Sequence, residues 1–473
     1  MNRRAGSMRA SVEASLWGAA VFATDCLPPR IRYGYVHRLT RAILAPPAIR
    51  VEAAAAHERA ADAVASLAPP GAPTCVLAAD RLDVGGIGTV IEMLALGLGR
   101  HGVRPVVVCQ GDGVRAARLR ASGVEVVSVT DEAAARDAIR DAAADVIQSH
   151  SAPPFLERAA LRSGVPIVPV MHNTEIHYTR ARWSSFGALM ARSVTGIAVS
   201  ATVRDFHLRH VGEGTPIVVV PNGAPDAAAP TPTQRNAARA RLSRSLGVEL
   251  SDDVVFVCLA RYDSQKNVAG LVAAFGRAVD DSPVPLRLVY AGDPSDPVEL
   301  RRADALRRSR ASGDRIHLLG DSDAHEVLTA ADAFVLDSFF EGWPVAASEA
   351  AAFDLPVVIS DVGGARELVA RDPGRSVLVP NATGDAALID DRRVRSARRR
   401  SRHQANAGAL RNAIHETARV VLAERAQTSP REFDAGRASA SAMVRQHADV
   451  IRAAAGVERA AEAARSGGRA GRQ

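Results

Sequence analysis

Two doubly wound parallel α/β halves are what this sequence predicts, and three observations predict them. Short apolar runs of strand length alternate with helix-periodic segments along most of the chain. The alternation breaks at Pro221-Asn222-Gly223 and the Ala- and Pro-rich residues 224–233, which read as a linker, and then starts again. Glycine-rich or charged turns follow several strands, where ligands of parallel sheets bind.

The first series opens with Cys75-Val76-Leu77-Ala78-Ala79 and continues with strands at 105–109, 124–129, 145–148, 166–171, 196–199 and 217–220. The second has strands at 254–260, 286–291, 315–319, 333–337 and 356–360, with helices at 267–280, 298–311, 323–331, 345–353 and 363–370. Such alternation argues for parallel sheets covered on both faces. The expected division is an N-terminal extension over 1–72, a first domain at 73–224 and a second at 225–431. A helix at 432–455 docks back, and a disordered tail fills 456–473. The extension carries an Ala-rich helix at about 51–67. With two halves, the cleft between them is the natural ligand site.

The 473 residues suffice for two or three domains, and 47% hydrophobic content fits a globular protein. The net charge of +7 favours acidic partners such as phosphates, nucleic acid or an anionic membrane. The basic excess is partly local, with seven arginines between 392 and 402, so it argues little for nucleic acid. That Arg-rich run, 391–403, reads as a solvated loop or helix face. Cys75, Cys109 and Cys258 lie in apolar runs, and no cysteine forms a C-x-x-C pair. They read as buried thiols in a reducing compartment, which places the protein in the cytoplasm. No run reaches the ~18 apolar residues of a membrane span. Residues 30–44 mix basic and aromatic side chains, which suits either packing on the first domain or a peripheral membrane contact.

The segment from Ser338 to Ala350 carries the most chemistry. Glu341 lies in a turn after the strand Ala333-Phe334-Val335-Leu336, and Glu349 stands eight residues on, inside a predicted helix. Pro344 fits the first helical position. Two carboxylates for hydroxyl groups and a helix N-terminus for phosphate together suit a nucleotide-sugar. Arg261 and Lys266, after the strand 254–260, could neutralise a departing diphosphate. Gly363-Gly364 suit close backbone approach at a helix start, and Glu367 suits that helix's first turn.

In the first half, Gly85-Gly86-Ile87-Gly88 joins a strand to a helix without the dinucleotide spacing, and no acidic residue ends the next strand. That excludes a nicotinamide enzyme. His150 and His172 each end a strand and could face a ligand. Asp321-Ser322-Asp323 looks like a metal-binding D-x-D but precedes a helix, where capping is the better reading. His207 and His210 lack an identifiable carboxylate partner.

In this order, Gly85-Gly86-Ile87-Gly88, Pro221-Asn222-Gly223, Arg261…Lys266, Glu341-Gly342-Trp343-Pro344 with Glu349, and Gly363-Gly364 resemble family 4 of the retaining GT-B glycosyltransferases. The resemblance spans about Cys75 to Val421. It implies a UDP- or GDP-sugar donor, a hydroxyl acceptor (glycan, lipid-linked or small molecule), no metal and no nucleic acid. It implies that Glu349 holds the ribose, that Glu341 meets donor-sugar hydroxyls near the Gly342, Trp343, Pro344 and Val345 backbone, and that Arg261 and Lys266 grip the diphosphate. Gly86 would approach the phosphates, His172 would lie near the transferred sugar, and Asn222 joins the donor-binding set. The chain departs from the family at Asp354, where glycine is usual, and in the insertion around 391–403. A non-catalytic GT-B subunit and a GT-B nucleotide-sugar epimerase are the alternatives.

Overall fold

The computed structural model describes residues 2–28, 49–52, 65–82, 85–224, 229–427 and 439–470. The chain divides into two compact units. The first α/β unit takes residues 59–174, 179–226 and 438–473, and the second takes 1–58, 175–178 and 227–437.

The described chain opens with α1 (Asn2–Asp25), part of the second unit. The first unit then contributes β1 (Thr74–Ala79), α2 (Gly86–Gly97), β2 (Arg104–Gln110), α3 (Val114–Ala121), β3 (Glu125–Val129), α4 (Glu132–Asp141) and β4 (Val146–His150). It continues with α5 (Pro154–Ser163), β5 (Ile167–Met171), α6 (Arg180–Ala191), β6 (Gly196–Ala198), α7 (Ala201–Val211) and β7 (Ile217–Val219). The strands form one parallel sheet in the order β3-β2-β1-β4-β5-β6-β7.

The second unit follows with α8 (Pro232–Leu246), β8 (Val254–Leu259), α9 (Val268–Asp280), β9 (Leu286–Ala291), α10 (Pro297–Arg308), β10 (Ile316–Leu319), α11 (Ala324–Ala330) and β11 (Ala333–Leu336). Then come α12 (Val345–Ala352), β12 (Val357–Ser360), α13 (Ala365–Val369), β13 (Val377–Val379), α14 (Asp391–Arg399) and α15 (Ala407–Arg425). Its parallel sheet has the order β10-β9-β8-β11-β12-β13. Last, α16 (Ala440–Ala470) belongs to the first unit.

The strands are near-continuous apolar runs because helices cover both faces of each sheet. Phe256, Phe275, Tyr290 and Phe334 fill the second core. In each sheet the strand order reverses once, between β1 and β4 and between β8 and β11. Outside the carboxyl ends of strands at such a reversal, the flanking loops part and leave a crevice.

Several expectations need correction. The expected linker gives way at Pro232 to α8, started by a capping box between Thr231 and Gln234. The tail expected to be disordered from 456 continues α16 to Ala470, in keeping with its Ala, Glu and Arg content. The helix expected at about 51–67 is absent at 51–52 and 65–67, and 53–64 lie outside the described residues, as do 30–44. The Arg-rich run is only partly solvated. It forms α14, and Arg398 is buried.

Arg398 is buried because three carboxylates need it. Its guanidinium bonds Glu299 of α10 at 2.5 Å and Asp25 of α1 at 3.1 Å, and lies 3.9 Å from Asp296. Arg399 holds the other Asp25 oxygen at 2.7 Å. Asp296 is nonetheless raised to about 6, first by burial and then by Glu299. These pairs tie α1 and α14 to α10. Replacing Arg398 with Met should leave Glu299 and Asp25 short of a buried counter-charge and cost on the order of 3–5 kcal/mol. An unchanged urea midpoint in the Arg398→Met protein would refute this.

Candidate active site

The loops after β8 and β11 meet at the strand-order reversal of the second sheet. The β8 loop carries Arg261 through Asn267. Tyr262 anchors it, its hydroxyl donating to Leu319 O at 2.7 Å and Tyr290 O at 3.2 Å. Asp263 Oδ1 accepts from the Gln265 and Lys266 N–H groups and folds the loop into a turn. Asn267 then adopts a left-handed φ of 49° and starts α9.

Lys266 and Glu341, given separate tasks by the resemblance, form one ion pair, Nζ to Oε1 at 2.5 Å. Glu341 is buried and fully engaged. Ser338 Oγ donates to Oε1 at 2.7 Å, and Gln265 Nε2 donates to Oε2 at 3.0 Å. Arg261 is the more open cation. Its side chain is 54% exposed, and it pairs with Asp263 at 3.0 Å, which raises its pKa further. Both cations therefore stand beside a carboxylate, and an incoming anion would share or displace it.

Below this pair sits a group whose importance the sequence analysis missed. Asp337, completely buried, accepts from Asn267 Nδ2 (2.9 Å) and Gln404 Nε2 (2.7 Å) on one oxygen and from Asn406 Nδ2 (2.8 Å) on the other. Burial pushes its pKa up to about 7 against the pull of these three amides. Asn267 follows Lys266 and Asp337 precedes Ser338, so the cluster clamps the roots of both loops. Asn381, also missed, donates from Nδ2 to Phe339 O at 3.1 Å and Asp361 O at 3.2 Å. An acid directly after a strand was the available signal for Asp337. Asn381 follows β13, a strand too short to notice.

The paired glycines have the expected use. Gly363 has φ 46°, and a Cβ there would stand 2.2 Å from Gly342 O. Gly364 donates its N–H to that oxygen at 2.9 Å, and a Cβ on it would lie 2.0 Å from the Trp343 ring. Trp343 is buried, donates from Nε1 to Ser348 Oγ at 2.8 Å, and has Arg371 at 5.0 Å over its ring. Pro344 sits one residue earlier than expected, at the N-cap, and Val345 opens α12. Glu349 lies in α12, half-buried. Asp354 takes the left-handed φ of 60° foreseen for it and is held by Arg375 at 2.8 Å.

In the first unit, Gly85 precedes α2 with φ 153°, a value that needs glycine, and Gly86 is the first helical residue. His172 Nε2 lies 2.9 Å from His150 Nδ1. His150 Nε2 and His447 Nδ1 lie 3.3 and 3.2 Å from Gln148 Oε1. Burial lowers His172 to about 4 and His447 to about 3, and holds His150 well below the usual value, so all three are neutral at pH 7. With Gln148 Oε1 accepting from His150 and His447, His150 Nδ1 must accept from His172. His172 Nδ1 then remains as an acceptor. Asn222 is buried under the start of α16, where Gly223 N–H meets Met443 Sδ at 3.4 Å.

The decoys resolve locally. Asp323 caps α11 by accepting from Glu326 N–H. His207 Nδ1 donates to Val203 O and His210 Nδ1 to Phe206 O, both at 2.9 Å. Among the described residues, no group of three or more His, Cys, Asp or Glu could hold a metal ion.

Residues 84–227 match the model for Glycosyltransferase Family 4, and residues 253–391 the model for Glycosyl transferases group 1. The alpha-maltose-1-phosphate synthase of Mycolicibacterium smegmatis (strain ATCC 700084 / mc(2)155) is 31% identical over 270 residues, 53% of this chain and 68% of that protein. The chain belongs to the family 4 glycosyltransferases. This glycosyltransferase is also 25% identical over 237 residues to TuaC of Bacillus subtilis (strain 168), a glycosyltransferase assigned to teichuronic acid biosynthesis. That match takes in 48% of this chain and 56% of TuaC, so the chain spans little more than half the length of that relative. Its fold is that of Anabaena HepE in complex with UDP (TM-score 0.60, 17% identity, 80% of this chain and 100% of HepE). A glycosyltransferase of Rickettsia africae ESF-5 is similar (TM-score 0.56, 16% identity, 81% of this chain and 99% of that one). The expected GT-B fold, two Rossmann-like sheets, is the fold found.

Asp337 gives the glycosyltransferase a pH signature. Its folded pKa, about 7, lies above the unfolded value near 3.8, so the folded state binds the extra proton between these limits. Its contribution to stability is therefore largest below pH 4 and is lost as pH rises through about 7. Wild type should gain stability relative to Asp337→Asn when the pH falls from about 7.5 to about 5. A constant difference in urea midpoint would contradict the assignment. The depressed histidines act oppositely and lose their contribution as pH falls from about 6.5 toward 4.

Proposed function

We propose that this glycosyltransferase moves a hexosyl group from a UDP- or GDP-sugar to a hydroxyl acceptor with retention of configuration. The observation that carries the reading is the Lys266–Glu341 pair beside Arg261, at the carboxyl ends of β8 and β11 where the strand order reverses. HepE structures with UDP-glucose and with UDP and glucose support a nucleotide-sugar donor for a chain of this fold.

In this reading Glu349 holds the ribose, and Arg261 and Lys266 take the diphosphate. Negative charge grows on the leaving phosphate oxygen as the sugar departs, and preorganised cations there lower the barrier. Diphosphate binding draws Lys266 partly away from Glu341, whose carboxylate then accepts from donor-sugar hydroxyls along the Gly342 to Val345 backbone. Gly86 at the first turn of α2 approaches phosphate, and neutral His172 accepts from a sugar hydroxyl. Asn222 completes the donor-binding set. The acceptor hydroxyl attacks from the side of the departing phosphate, whose oxygen takes its proton, so no metal is required. The acceptor is a glycan, a lipid-linked glycan or a small molecule in cell-surface polysaccharide or glycolipid synthesis. The enzyme works in the cytoplasm or at the inner face of the plasma membrane.

Truncating Glu349 or Lys266 to Ala should lower transfer on the order of 10²–10³. Melting curves separate loss of chemistry from loss of fold, because Lys266→Ala also strips a buried carboxylate of its partner. Wild-type transfer rates in both folded variants would sink the assignment. A nucleotide-sugar that fits should raise the melting temperature, and a screen in which no UDP- or GDP-sugar does so would count against the donor class.

A further inference from the structure

Helix α1 has two unlike faces. Ala10, Ala14 and Val21 are buried and Trp17 is packed against the second core, while Glu13 pairs with Arg308 and Asp25 with Arg398 and Arg399. The opposite face is mainly apolar and open. Met8 is 72% exposed, Val12 58%, Leu16 66% and Phe22 52%, with Ala19 and Ala23 exposed between them. At about 100° per residue these six side chains fall within an arc of roughly 120° and a length of about 22 Å. Exposed Ser15 lies in the same arc, its hydroxyl turned back to donate to Ser11 O at 3.0 Å, and a mainly apolar exposed strip of this kind marks an interaction surface.

The charge around the strip identifies the partner. The two carboxylates of α1 are both turned to the protein by ion pairs. Arg9 is exposed at the edge of the strip, and Arg399 at the end of neighbouring α14 and Arg400 at its C-cap are exposed, with the Arg399 guanidinium 4.4 Å over the Phe22 ring. The sequence after α1 continues in the same composition, with Arg30, Arg32, Arg38 and Arg41 among Ile31, Tyr33, Tyr35 and Leu39. Apolar side chains bordered by cations match the acyl and phosphate layers of an anionic bilayer. They match a second copy poorly, because its own arginines would oppose them. No described helix is long and apolar enough to cross a membrane, so α1 would lie along the surface.

We propose that the outward face of α1, Met8, Val12, Leu16 and Phe22 with Arg9, Arg399 and Arg400, docks on an anionic lipid bilayer. The Arg398 network fixes α1 to the second unit and so sets which side of that unit meets the membrane. The inference does not depend on the sugar chemistry.

Flotation of the full chain tests it. Wild type should float with phosphatidylcholine vesicles containing about one third phosphatidylglycerol, weakly with phosphatidylcholine alone, and less as salt rises. The double variant L16E/F22E, whose side chains are exposed, should melt as wild type does and lose about tenfold or more of its vesicle binding. R9Q/R400Q should lose binding to anionic vesicles while keeping its weak binding to neutral ones. Wild type failing to float, or a folded L16E/F22E floating equally, overturns the proposal. So does a wild-type dimer that L16E/F22E converts to monomer without any vesicle binding, since the strip would then serve a second copy.

Discussion

The candidate active-site loops of this glycosyltransferase depend on one buried carboxylate that water cannot reach. A lone Asp in such a place would be costly, and the fold meets that cost with amide donors from Asn267, Gln404 and Asn406. The donors come from two stretches of chain remote from Asp337. Asn267 ends the loop that bears Lys266, and Gln404 and Asn406 lie between α14 and α15. The hydrogen bonds that satisfy the charge thereby fix the register of three segments. Ser338, next in sequence, can then place its hydroxyl on Glu341.

That arrangement explains why the site holds charge without being an open anion trap. An uncompensated lysine at the carboxyl end of β8 would attract any phosphate. Here Glu341 occupies it, and Asp263 occupies Arg261. A ligand must offer more than negative charge to compete with a buried, hydrogen-bonded carboxylate. It must also give that carboxylate hydroxyl donors in return. In the proposed reading a molecule carrying both diphosphate and sugar would do so, and inorganic phosphate would not. Selectivity in that reading would come from pairing and not from shape alone.

The sheets were legible in the sequence because each strand is a short apolar run bounded by turn residues, a pattern that survives without knowledge of neighbours. The carboxyl-end loops were legible for the same reason, since Arg261, Lys266 and Glu341 directly follow such runs. What they do to each other was not, because the contact joins residues 75 positions apart. Asp337 was passed over because an acid after a strand ordinarily faces solvent, and only tertiary structure brings three amides to it. The Arg-rich run misled for a related reason. Seven arginines in eleven residues look solvated, and burial of Arg398 is dictated by Asp25 and Glu299, far away in sequence. The helix from Pro232 was hidden by Ala and Pro residues that resemble a linker, although Thr231 and Gln234 had the spacing of a capping box.

Each α/β unit borrows an element from the far end of the chain: α1 packs on α10 and α14 of the unit whose strands begin at Val254, and α16 packs on α2 and β4 of the unit whose strands begin at Thr74. During synthesis this creates an order of events. At roughly 5–20 residues per second, α1 leaves the ribosome on the order of tens of seconds before Arg398 does. For that interval Asp25 lacks its Arg398 partner, and the face of α1 that bears Ala10, Ala14 and Val21 lacks its native cover. The second unit can close only after α14 emerges, and the first only after α16. The nascent chain therefore spends most of its synthesis with both units unfinished, which makes its early helix a natural client for chaperones and a weak point for N-terminal fusions.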